Sequence, residues 1–186
     1  MRTLKGIPIL AMAVLLTACV PSLHPLYTER DLVSDPAFTG VWVAEDDGHQ
    51  TKWTVTKSGD GYEMVDVEED EDPAQFDVRM VRLGDSTFLD LYPAKQEKNN
   101  ELYQMHVVRA HTFMKVTMTD GSLGVSMLDP DWLKKALSAD QALAHQTLAD
   151  GDLLLTASTA ELQEFILKSC ADPAAFGDPM VFTRQR

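Results

Sequence analysis

From Gly40 to Met127 the dominant pattern is an alternation of apolar and polar side chains with period two. Trp53 and Val55 are interleaved with Lys52, Thr54 and Thr56, and Phe76, Val78 and Met80 with Asp77 and Arg79. Tyr103, Met105 and Val107 are interleaved with Gln104 and His106, and Met114, Val116 and Met118 with Lys115, Thr117 and Thr119. Successive side chains of a strand point to opposite faces, so this pattern predicts half-buried antiparallel strands. Turn signals fall between them at Asp47-Gly48, Gly59-Asp60-Gly61, Gly84-Asp85, Asn99-Asn100 and Asp120-Gly121. Seven or eight strands joined in sequence predict a meander that buries its inner face by closing into a barrel or a strongly curved sheet.

The last third has a different texture. Asp129 before Pro130 predicts a capped helix from Asp129 to Leu137. Gln146 to Thr156 reads as a hairpin about Asp150-Gly151, and Ser158-Thr159-Ala160-Glu161 as a capping box opening a helix through about Lys168. Met180 to Thr183 offers a closing strand. The expected fold class is therefore mainly β, with α+β character in the C-terminal third.

The first residues follow another rule. Arg2 and Lys5 precede an apolar run from Ile7 to Leu16, then come Leu16, Thr17, Ala18 and Cys19. A positive start, an apolar core and small residues before a cut are the order of a secretory signal. About ten apolar residues fall short of the roughly twenty that a membrane-spanning helix needs. The four residues ending in Cys19 resemble the lipobox of bacterial lipoproteins. That resemblance implies diacylglyceryl transfer to the Cys19 thiol, cleavage after Ala18 and acylation of the new amino group. Two or three acyl chains hold a protein durably where one does not. The competing reading is an ordinary signal peptide cut near Ala18, with Cys19 a plain thiol. Val20 after the cysteine, where enteric sorting reads Asp, implies the periplasmic face of the outer membrane in a two-membrane host.

The expected organisation is a signal peptide over 1–18, a lipidated tether over 19–37 and one β-rich domain over 38–186. The tether has Pro21 and Pro25, which favour an extended path, and is not a Gly/Ser tract. Leu23, Leu26 and Tyr27 offer it contacts along the domain. The chain carries −13, and without its first 18 residues 14 basic side chains face 29 acidic ones, or −15. Such a body is repelled by nucleic acid and anionic lipid, which leaves the covalent lipid as its membrane contact. Lipidation of Cys19 leaves Cys170, the other of two cysteines, without a disulfide partner. Its place one turn beyond Ile166 suits a small core hydrophobe, and a reactive exported thiol is the alternative.

Candidate chemistry is sparse. The acidic run Asp66, Glu68, Glu69, Asp70, Glu71, Asp72 has oxygen ligands but lacks the spaced residues and mid-loop glycine of a calcium loop, and it reads as a solvated hairpin tip. Of the five histidines, His106 and His111 alone are near neighbours, and two ligands make a poor zinc site. No nucleophile elbow, paired-Cys spacing or phosphate loop occurs. The expectation is a protein without catalytic residues, metal or cofactor beyond the lipid on Cys19.

Methionine placement is the most suggestive feature. Met80, Met105, Met114, Met118 and Met127 all fall on positions expected to face inward. Flexible, polarizable Met suits an apolar wall that adapts to a ligand, and it equally suits plain core filling. Gly40-Val41-Trp42 opening the first strand, Thr119-Asp120-Gly121 at a later turn and Arg184 past the last strand resemble lipocalins, in which that Trp packs under a C-terminal Arg. Gly121 replaces the aromatic of that pattern. Trp42 and the five methionines are accordingly the expected lining of an apolar-ligand cavity. An envelope scaffold that meets a protein partner through its surface is the alternative, and it predicts a filled core and an exposed apolar patch.

Overall fold

A computed structural model describes residues 20–46, 48–69, 71–94, 100–139 and 143–185. Its framework is an antiparallel sheet of β2 (Gly40–Asp46), β3 (His49–Ser58), β4 (Gly61–Glu68), β5 (Ala74–Leu83), β6 (Ser86–Pro93), β7 (Thr112–Thr119), β8 (Ser122–Met127) and β11 (Met180–Gln185). Each strand pairs with its successor, and β11 returns between β8 and β2, so eight strands close into an up-and-down, lipocalin-like barrel. A short outer strand, β1 (Leu32–Val33), continues the edge of β5 beyond the point where β4 ends. The glycine turns are where expected; Gly59, Gly84 and Gly121 sit at positive φ in the three hairpins of one barrel end. There the chain reverses within two residues, which demands backbone dihedrals that side chains with a Cβ resist.

Alternation places Trp42, Ala44, Trp53, Val55, Tyr62, Met64, Val78, Met80, Leu89, Leu91, Met114, Val116, Leu123, Val125 and Phe182 inside the barrel. A second core lies outside it. Val81, Leu83, Phe88 and Phe113 point outward from β5, β6 and β7, yet all are buried. Their cover comes from α2 (Pro130–Ser138), the hairpin of β9 (His145–Thr147) and β10 (Leu153–Leu155), α3 (Thr159–Ser169) and the segment from Val20 to Leu26. Adjacent apolar residues such as Phe88-Leu89 and Phe113-Met114 mark strands covered on both faces.

The helices begin where their caps predict. The Asp129 carboxylate accepts from the Trp132 backbone N–H at 2.6 Å. Ser158 and Glu161 close the expected capping box before α3. One expected strand is absent. Residues 103 to 107 belong instead to α1 (Glu101–Gln104), capped by Asn100, and to the turn after it. The barrel closes directly from β6 to β7, whose pairing ends at Leu91 and Thr112, so no edge is free to accept another strand there. Met105, expected to face inward, is therefore 81 % exposed.

Candidate functional site

The barrel interior is filled. Its buried inward side chains keep no more than 6 % of their surface accessible. A chamber of ligand size would leave its walls wet or open, and these walls touch one another. Trp53 stacks on Phe182 with ring centres 4.2 Å apart, and Phe38 meets Tyr62 edge-on at 5.0 Å. Of the expected lining, Trp42, Met80 and Met114 are buried here, while Met118 and Met127 are partly buried against the same cluster. Met64, missing from that expectation, is buried with them, and the alternation of Tyr62 and Met64 about the exposed Glu63 was the signal that could have found it.

One end of the barrel is stoppered by a 3-10 turn, Pro36–Phe38, which inserts Phe38 into the core. Trp42 Nε1 donates to the Phe38 carbonyl at 2.8 Å. The Arg184 guanidinium lies 4.5 Å from the Trp42 ring centre and donates to the carbonyls of Thr39, at 2.8 Å, and Ala37. Gly40 makes this approach possible: its φ is +132°, and a Cβ there would stand 2.7 Å from Arg184 Nη1. The Trp-under-Arg closure expected from Gly40-Val41-Trp42 and Arg184 is thus present. An open cleft of about 500 Å³ borders it, lined in part by Trp42, Met118, Asp120 and Arg184.

The opposite end carries the turns between β2 and β3, between β4 and β5, and between β6 and β7. Here the described chain starts. Val20 is buried, and Ser22 exchanges backbone hydrogen bonds with His111, both 2.8 Å, while Leu155 N donates to Pro21 O at 2.8 Å. The strap then runs along the barrel wall over Asp90. That carboxylate, 1 % exposed, accepts from Leu26 N at 2.7 Å and from His111 Nδ1 at 2.6 Å. Facing an acceptor-only carboxylate, Nδ1 carries the ring proton. Leu26 is fully buried, and Gln163 of α3 donates to its carbonyl. The Asp90–His111 pair therefore clamps the strap to the barrel. Its partners are far apart in sequence, and neither residue stands in a motif that could have flagged it.

Among the described residues, the longest run of exposed large apolar side chains lies just ahead of His111 in sequence. Leu102, Met105 and Val108 are 65 %, 81 % and 75 % exposed, and Tyr103 and Val107 are exposed with them. His106 turns its Nδ1 back to the Leu102 carbonyl at 2.7 Å and holds the turn. Arg109 folds over the Tyr92 ring, 4.8 Å from its centre, and donates to the Pro93 carbonyl.

Most of the acidic run is exposed as expected, with Asp70 outside the described residues, but Asp66 turns toward Trp53 inside the barrel mouth. Burial, reinforced by the nearby Glu68 and Glu71 charges, pushes its carboxyl up to about 6, and its buried Oδ1 has no hydrogen-bond partner among the described residues. Cys170 caps α3, half-buried beside the outer core and at the edge of a surface cleft of about 280 Å³. Leu16, Thr17, Ala18 and Cys19 lie outside the described residues. Among the described residues no helix is long and apolar enough to cross a membrane, and no three His, Cys, Asp or Glu side chains converge as metal ligands would. No protein-family model, curated protein or solved structure matches this chain.

Proposed function

We propose that this chain is a lipid-anchored, non-enzymatic protein of the cell envelope that acts through its outer surface rather than through a chamber in its barrel. The observation that carries this reading is the inversion of apolar exposure: the interior is packed solid, while a run of large apolar side chains from Leu102 to Val108 faces outward. A monomeric surface seldom leaves such a patch uncovered without a contact to make. The Leu16-Thr17-Ala18-Cys19 sequence supports covalent lipid as the anchor. The host membrane is then the first partner, on the periplasmic face of the outer membrane where there are two, and an envelope protein is the second. The net charge disfavours nucleic acid. Among the described residues the Asp90–His111 pair is occupied in holding the strap, which supports the non-enzymatic reading.

A second reading rests on the cleft beside Arg184. Its size falls within the roughly 300 to 1,000 Å³ of ligand pockets, and Trp42 and Met118 give it an apolar wall. An apolar ligand would bind there outside the barrel, at its rim.

Expression of the full chain beside a Cys19→Ser variant tests the anchoring. The wild type is expected to partition into membranes and to incorporate labelled fatty acid, whereas the variant does neither. Equal partitioning of the two overturns the proposal.

A further inference from the structure

We infer that the segment from Leu102 to Val108 docks on the lipid bilayer beside the anchor and fixes the barrel end-on to the membrane. This rests on the lipidation of Cys19 proposed above. The occupant follows from the position of Cys19 in the sequence, next to Val20. Val20 is buried and Ser22 is paired with His111, three residues beyond Val108. Adjacent Cα atoms stand about 3.8 Å apart, so a lipid on Cys19 emerges within a residue of the folded surface, with no spacer to lift the body away. The bilayer that receives the acyl chains is therefore the apolar phase nearest to these side chains.

The chemistry of the segment fits an interface. Leu102, Met105, Val107 and Val108 supply apolar bulk, and Tyr103 is a residue type that settles at the headgroup level. Between Asn100 and His111, Glu101 and Arg109 are the only formal charges and cancel, in a chain of −13. Leu23, on the strap itself, is also exposed. The same barrel end carries the exposed Glu68, Glu69, Glu71 and Asp72 on the β4–β5 turn. Those charges oppose an anionic surface, so the segment docks best on zwitterionic lipid and less well on anionic lipid at low salt. In this pose the Trp42–Arg184 end points away from the membrane, free to meet soluble components.

The test uses the full lipidated chain in phosphatidylethanolamine–phosphatidylcholine vesicles. In a Cys170→Ser background, single spin labels are placed through Leu102→Cys, Met105→Cys and Val108→Cys, with Asp120→Cys at the opposite end as control. All four sites are on the surface, so the labels leave the core intact. Electron paramagnetic resonance then compares relaxation by oxygen, which concentrates in lipid, with relaxation by a water-soluble nickel chelate. The oxygen-to-nickel ratio is expected to be at least about threefold higher at the three segment sites than at the Asp120 site. Intact mass spectrometry of the same sample reports the lipid on Cys19. Equal, water-like ratios at all four sites of a lipid-bearing chain overturn the docking while leaving the anchor in place, and they would assign the patch to a protein partner. A chain without lipid on Cys19 overturns the anchoring and this inference with it.

Discussion

Replacing His111 with alanine removes one of the two groups that satisfy a buried carboxylate. Asp90 is 1 % exposed, on the outward face of β6 beneath the strap, and its neighbours Leu89 and Leu91 point into the barrel. In the variant Leu26 N still donates to one oxygen, while the oxygen that faced His111 loses its partner. The His111 side chain is 13 % exposed, so water entering the space it leaves recovers part of the loss. Breaking a buried pair from one side costs about 3 to 5 kcal/mol, and the surviving Leu26 bond places this case near 3. The lost contact with the Tyr92 ring, 4.6 Å away, adds to it. A loss of about 3 kcal/mol raises the unfolded-to-folded ratio more than a hundredfold. Urea unfolding followed by Trp fluorescence measures it, and hydrogen exchange at Ser22, Leu23 and Leu26 reports whether the strap loosens first. Replacing both partners together, Asp90→Leu with His111→Leu, is expected to cost less than the two single changes summed, because no orphaned charge remains. A His111→Ala loss below about 1 kcal/mol, with unchanged exchange in the strap, would refute the clamp.

Other positions give independent checks. Trp42→Ala removes a fully buried indole, its bond to Phe38 and the seat of Arg184, and is expected to lose about 3 to 5 kcal/mol in the same unfolding assay. Gly40→Ala sets a Cβ against Arg184 in a backbone region that disfavours it; about 1 to 3 kcal/mol is expected to be lost, with a smaller loss when Arg184→Ala is already present. Asp66 binds its proton more tightly folded than unfolded, so ionising it opposes folding and its contribution falls as pH rises from about 4 to about 6. Asp66→Asn should flatten that part of the stability curve and gain on the order of 1 kcal/mol at pH 7, once partial exposure to solvent is allowed for. Met105→Ser should leave stability within about 0.5 kcal/mol of wild type, since the side chain touches no core.

Period-two patterning was enough to read the barrel, because each strand has one face on a common interior. The helices were readable for a different reason: Asp129 and Ser158 announce local hydrogen bonds that form within four residues. Residues 103 to 107 show where such reading stops. Tyr103, Met105 and Val107 alternate like a strand, yet Leu102 and Val108 are apolar on the opposite phase, and the closed ladder from β6 to β7 leaves no edge for them. A pattern of apolar residues states that a surface seeks cover, and it does not say whether the cover is the protein's own core. The filling of the barrel was equally illegible. Inward methionines suit a cavity until the volumes of Trp42, Trp53, Tyr62 and Phe182 are brought together, and only the register of β2, β3, β4 and β11 does that. The Asp90–His111 clamp depends on a meeting across 21 residues of sequence and a third participant, Leu26, 64 residues away from Asp90.

Native mass spectrometry of the full protein, extracted from membranes in mild detergent, tests the lipid anchor and the solid barrel together. The expected species is a chain beginning at Cys19 that carries covalent diacylglyceryl and retains no further lipid after gentle activation. An unmodified chain would overturn the anchoring, and a stoichiometric non-covalent lipid that persists after Arg184→Ala in the rim cleft would overturn the solid barrel.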